Sequence, residues 1–140
     1  MRTLLIVFAG VALTLMVSAQ KPDGPQIRFA PTEINLGKVA VDKVTNDLGK
    51  IEIVVHNDGN RPLIISNTTA CCGTRVNEWP REPIAPGGNA KIKAEFRVEA
   101  RPYRISRSLT VQSNATNGES QRIAILGEVV VAPSPNEIAL

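Results

Sequence analysis

KIEIVVHNDGNRPLIIS, running from Lys50 to Ser66, is the stretch on which the fold reading turns. It contains two apolar runs rich in β-branched residues, Ile51 to Val55 and Pro62 to Ile65. Such side chains suit the half-buried surface of a pleated strand. Between them Asn57-Asp58-Gly59-Asn60 supplies residues that tolerate the positive φ of a tight reversal. Apolar run, Asp-Gly turn and apolar run predict a β-hairpin. An isolated hairpin is marginal in water, so further strands must complete its sheet.

The chain supplies them on both sides. Downstream, Ala90, Ile92, Ala94, Phe96 and Val98 alternate without a break against Lys91, Lys93, Glu95 and Arg97. That period of two predicts a strand with one buried and one solvated face. Ile105, Leu109 and Val111 share a parity in the next segment, and Ile123, Ile125 and Val129 share one in a last strand over Arg122 to Val131. Upstream, Ile27 to Phe29 and Ile34 to Leu36 read as one edge strand interrupted at Pro31 and ended by Gly37. Lys38 to Asn46 reads as a short strand or loop, and Asn67 to Gly88, with Pro80, Pro83 and Pro86, as irregular chain. About seven short strands with turn signals between them and no helical period predict an all-β fold. The fold class is an immunoglobulin-like antiparallel β-sandwich, preceded by a signal peptide.

The signal-peptide reading rests on the first residues. Arg2 places a positive charge ahead of Leu4 to Val17, which carry no charged side chain, and Val17-Ser18-Ala19 offers the small residues a signal peptidase reads. The apolar run is short for a bilayer crossing of ~20 residues. Residues 1–19 are therefore assigned to the signal, 20–26 to a mobile lead-in, 27–131 to the sandwich and 132–140 to a frayed tail. Localisation follows as exported, periplasmic or extracellular, with no membrane span once the signal is cleaved. Sixteen basic and thirteen acidic residues give a formal charge of +3, too small a surplus to argue for nucleic acid as a partner.

The motifs around the central stretch are similar to a known family. Asn57 to Ile65, then Cys71-Cys72-Gly73-Thr74, Trp79-Pro80 and Pro83-Ile84-Ala85-Pro86-Gly87-Gly88, resemble in order and spacing the exported bacterial domains grouped as DUF1573. Ile34 to Val39, Ser113-Asn114 and Gly127 match as well, so the resemblance covers roughly Phe29 to Val130. It implies kinship with immunoglobulin-like domains of the ASH and major-sperm-protein type, for which no enzymatic activity is established. The family's usual Cys-Gly-Cys-Thr stands here as Cys71-Cys72-Gly73-Thr74.

Few side chains offer chemistry. Thiolates are soft ligands, and Cys71 with Cys72 is a candidate redox or copper/zinc pair. Tetrahedral zinc needs two more ligands, and the one histidine, His56, sits at a strand end with parity toward solvent. A Cys–His nucleophile needs a neighbouring imidazole and an orienting third group, which no spacing here provides. No cofactor motif is present. A vicinal disulfide would be strained, because consecutive Cα atoms lie about 3.8 Å apart whereas a relaxed bridge spans ~4.4–6.8 Å. Two free thiols, one packed as a small hydrophobe and one partly exposed, are the expectation.

Two surface features complete the candidates. Arg97, Arg101, Arg104 and Arg107, with Lys91 and Lys93, form a basic cluster in sequence, read as a solvated rim or as a site for an acidic group. Trp79, in a proline-rich loop, is a lid over the sandwich end or an anchor for a partner. The sequence thus predicts a non-catalytic exported interaction or structural module of the cell envelope. Its contacts with another envelope protein or peptide would run through sheet edges and the loop Thr69 to Pro86. The alternative is a redox-active or metal-handling protein built on the cysteine pair.

Overall fold

The computed structural model describes residues 19–133. The signal segment, except for Ala19, and the tail from Ser134 lie outside the described residues. Among those described, no helix is long and apolar enough to cross a membrane.

Among the described residues, eight strands form two packed sheets. One sheet holds β1 (Ile27–Ala30), β3 (Lys50–Asn57), β6 (Asn89–Phe96) and β5 (Thr74–Glu78) in that spatial order. The other holds β2 (Glu33–Ala40), β8 (Ser120–Val130), β7 (Tyr103–Ser113) and β4 (Ile65–Ala70). This is the two-sheet arrangement of an immunoglobulin-like sandwich, with the first strand split between the sheets. One pairing departs from the expected antiparallel pattern: β2 runs parallel to β8.

The core is the meeting of the two inner faces. Ile53, Val55 and Ile92 of the first sheet and Ile105, Leu109, Val111, Ile123 and Ile125 of the second are fully buried. The alternation read along β6 holds: Ile92, Ala94 and Phe96 are buried, whereas Lys91 and Lys93 face water. The parities assigned to β7 and β8 hold in the same way.

The central hairpin does not form. β3 pairs with β1 and β6, whereas β4, the strand after the turn, lies in the other sheet against β7. Asn57 explains the change. Its carboxamide is fully buried, accepting from the backbone N–H of Gly59 (3.0 Å) and Gln26 (3.3 Å) and donating to the carbonyls of Arg61 (2.7 Å) and Ile84 (2.9 Å). All four side-chain positions are satisfied, and together they fold Asp58 to Leu63 away from β3 toward the opposite sheet. Leu63 then pairs with Ile84 through two backbone hydrogen bonds. Gly59 is needed there because a Cβ would stand 2.0 Å from the Gly24 carbonyl oxygen.

Three further expectations are corrected. The interrupted edge strand is two strands in different sheets, because the chain crosses the sandwich between Ala30 and Glu33, and the second continues through a bulge at Gly37 (φ +67°) to Ala40. The lead-in is anchored from Gly24 onward: Gly24 N–H donates to the Asn60 side chain, and the Pro25 carbonyl accepts from Thr116. The stretch from Asn67 to Gly88 contains most of β4 and all of β5.

Candidate functional site

β4 and β5 are each the outer strand of a sheet, and the chain passes from one to the other through Cys71-Cys72-Gly73. The Thr74 N–H donates to the Cys71 carbonyl at 3.1 Å, and both central residues are left-handed, Cys72 at φ +62° and Gly73 at φ +76°. Two positive φ values in a four-residue turn describe type I′. Cys72 stands at the position where the DUF1573 pattern has Gly, the residue that takes this conformation without steric cost.

Cys71 is half-buried and Cys72 exposed, and both carry free thiols. Cys71 continues the β4–β7 register onto Ser108: its N–H donates to the Ser108 carbonyl at 3.1 Å, and its sulfur accepts from the Ser108 N–H (3.3 Å) and faces the Ser108 hydroxyl (3.6 Å). Donors aimed at a sulfur favour its thiolate. The Cys72 thiol, the Ser108 hydroxyl and the Ser108 N–H, with the charge of Arg107, bring Cys71 down to about 7. Cys72, on the other side of that interaction, is pushed up.

Arg107 is the residue whose charge, read as a surface group, hid its inward parity. It shares the inward row of Ile105 and Leu109, and its guanidinium carbon lies 4.7 Å from the Phe96 ring centroid. Its Nη1 is buried with no hydrogen-bond partner among the described residues, and a Cβ built on Gly73 would be 3.6 Å away, which places the cation beneath the turn. Thr74 Oγ1, also at the turn, is buried and unpartnered as well.

The rest of the basic cluster disperses. Lys91 and Lys93 lie on the outer face of the first sheet, paired with Glu52 (2.8 Å) and Glu78 (3.0 Å). Arg101 pairs with Glu99 and lies over the Tyr103 ring. Arg104 is on the outer face of the second sheet, in register with Glu128. Arg97 alone stays near the turn, lining a cleft of about 320 Å³ with Gly73, Arg75 and Glu95. Trp79 is half-buried against the core, and the Arg81 guanidinium covers its ring at 3.6 Å.

The cysteines gather no metal set. Among the described residues no group of three His, Cys, Asp or Glu side chains could hold an ion. His56 pairs with Asn89 at one end of β6, whereas Thr74 pairs with Phe96 at the other. Seven residues of strand, about 23 Å at ~3.3 Å per residue, separate the imidazole from the cysteine turn.

Residues 27–129 match the family model described as "Protein of unknown function (DUF1573)". The chain belongs to the DUF1573 family. No curated protein matches this DUF1573 chain. Among solved structures, it is similar to a protein of unknown function from Porphyromonas gingivalis W83, with TM-score 0.59, 18% identity, and 84% of this chain and 51% of that one covered. It is similar to the secreted serine protease VesC of Vibrio cholerae (TM-score 0.58, 14% identity, 83% and 25% covered). It is also similar to the ASH/PapD-like domain 7 of human CEP192 (TM-score 0.52, 10% identity, 89% and 99% covered). The chain thus spans about half the length of the first and a quarter of the second. At these identities the likeness is one of fold alone.

Proposed function

We propose that this DUF1573 protein is a non-catalytic, exported interaction module that docks an extended segment of another envelope protein against the free edge of β4. One observation carries this reading. Soluble sandwiches blunt their outer strands with charge or proline, and three edges here conform: β1 carries Arg28, β2 carries Glu33 and Lys38, and β5 carries Arg75 and Glu78. β4, Ile65-Ser66-Asn67-Thr68-Thr69-Ala70, has neither charge nor proline. Its unpaired side offers backbone C=O groups and the Ala70 N–H to an added strand, the means by which open sheets bind peptides, while the Thr68 N–H is held by the Asn67 side chain at 2.9 Å. Ile64, just before it, is 46% exposed, a large apolar side chain left uncovered beside the edge.

Export is the reading of the charged, apolar and small-residue order of residues 1–19. The test is site-specific photocrosslinking in cells, with a photoreactive residue at Ser66 or Thr69 on the edge and at Asp42, an exposed position away from it. A discrete crosslinked partner from both edge positions and none from Asp42 is expected. Equal products at all three positions, or none at the edge, would overturn β4 docking. Retention in the cytosolic fraction would overturn export.

A further inference from the structure

We propose that Cys71 is a capture thiol that exchanges with small, negatively charged disulfides to form a mixed disulfide, which Cys72 does not resolve. The inference is independent of strand docking at β4. Three features of the turn support it. The Cys71 sulfur faces two Ser108 donors, at 3.3 and 3.6 Å, and is half-buried, so a small reagent can reach it. Beneath the turn, the Arg107 Nη1 and Thr74 Oγ1 are buried and have no hydrogen-bond partner among the described residues. Gly73 of the turn, though neither cysteine, lines a cleft with Arg75, Glu95 and Arg97 that has one surplus cation: Arg75 pairs with Glu95 at 2.5 Å, and Arg97 has no ion pair among the described residues. A ligand half carrying carboxylates fits that charge; a cationic one does not.

The reaction is thiol–disulfide exchange. The Cys71 thiolate attacks one sulfur of the disulfide, forming a new S–S bond as the old one breaks. The leaving sulfur departs with the electron pair and takes a proton from solvent. Cys71 is oxidised, the released half is reduced, and the incoming disulfide is the only oxidant needed. Two-thiol oxidoreductases then expel the captured half with a second cysteine. Cys72 is poorly placed to do so, because adjacent Cα atoms at about 3.8 Å fall short of the ~4.4–6.8 Å of a relaxed bridge. The captured half therefore persists.

The test uses oxidised glutathione, which is anionic, and cystamine, which is cationic. The full chain is incubated at pH 7, followed by intact mass measurement and peptide mapping. One glutathionyl group is expected on Cys71, in the wild type and in Cys72→Ser alike. At pH 7 a thiol near 7 is about half ionised, against about 3% for one near 8.5. Its lower basicity returns about fivefold of that gain at a Brønsted slope of ~0.45, so Cys71 of the folded wild-type chain should react about threefold faster than the single thiol of a Cys72→Ser peptide covering residues 67–76. Relative to that peptide, the folded chain should prefer glutathione over cystamine, and Arg97→Gln should reduce the preference. Modification at Cys72, an internal bridge two hydrogens lighter with no adduct, a rate no greater than the peptide's, or a preference for cystamine would each overturn the proposal. Mapping and charge preference are read on the wild-type chain, so the test does not depend on a variant that folds poorly.

Discussion

Single residues decide where this chain turns and how its Cys71 thiol titrates. Asn57 is the buried hub of the crossover, and Asn57→Leu would strand the N–H groups of Gln26 and Gly59 and the Arg61 carbonyl, while the Ile84 carbonyl keeps only the Leu63 N–H. Each buried orphan costs ~1–3 kcal/mol, so a loss of about 3–5 kcal/mol in urea unfolding is expected after partial rearrangement. A loss under ~1 kcal/mol would show that the hub is dispensable. Cys71 gives a pH signature. Its folded value, about 7, lies below that of a free thiol, so the fold favours the thiolate. The stability this contributes is present above the unfolded value and is lost as pH falls through the folded one. The advantage of wild type over Cys71→Ser should therefore grow between pH 7 and 9, with Cys72, Arg107 and Arg122 as the titratable or charged groups acting on the pair. A difference that stays flat or shrinks across that window would contradict it. At this scale the sequence exposed the cysteines but hid Arg107, because a charge is read as solvent-facing even where parity points inward.

Among the elements, β6 shows how fully a two-residue period can be read. Its buried Phe96 and solvated Lys93 were assigned to opposite faces by alternation alone, and the sandwich keeps them there. Phe96→Ala removes a core ring and should cost about 3–5 kcal/mol. Lys93→Ala, which loses one surface ion pair, should unfold at a midpoint indistinguishable from wild type. Similar midpoints for both variants would refute the face assignment. β2 was legible only in part. It approaches β8 where Gly127 leaves room, since a Cβ there would stand 3.0 Å from the Leu36 Cβ. Neither that approach nor the parallel pairing leaves a trace in local sequence. β4 and β5 were read mostly as loop, because bulges between Ile65 and Asn67 and between Val76 and Glu78 break the alternation that marks a strand.

For the molecule as a whole, distant pairings dominate: β2 with β8, joining Glu33 to Ala124, and β1 with β3, joining Ile27 to Asn57. Loops that long must close before their contacts repay the entropy. Stopped-flow refolding should accordingly run in milliseconds to seconds, as for other sandwiches, and a microsecond phase carrying the full amplitude would contradict this topology. By itself the sequence determined an all-β sandwich, most of its strands and the buried face of each, because side-chain alternation and turn chemistry are local properties of the chain. Only the tertiary structure decided to which sheet each strand belongs. Strand, Asn-Asp-Gly turn and strand look alike whether the chain folds back on its own sheet or crosses to the other. The choice was made at a distance, by the Asn57 carboxamide bonding to the carbonyl of Ile84 and the N–H of Gln26.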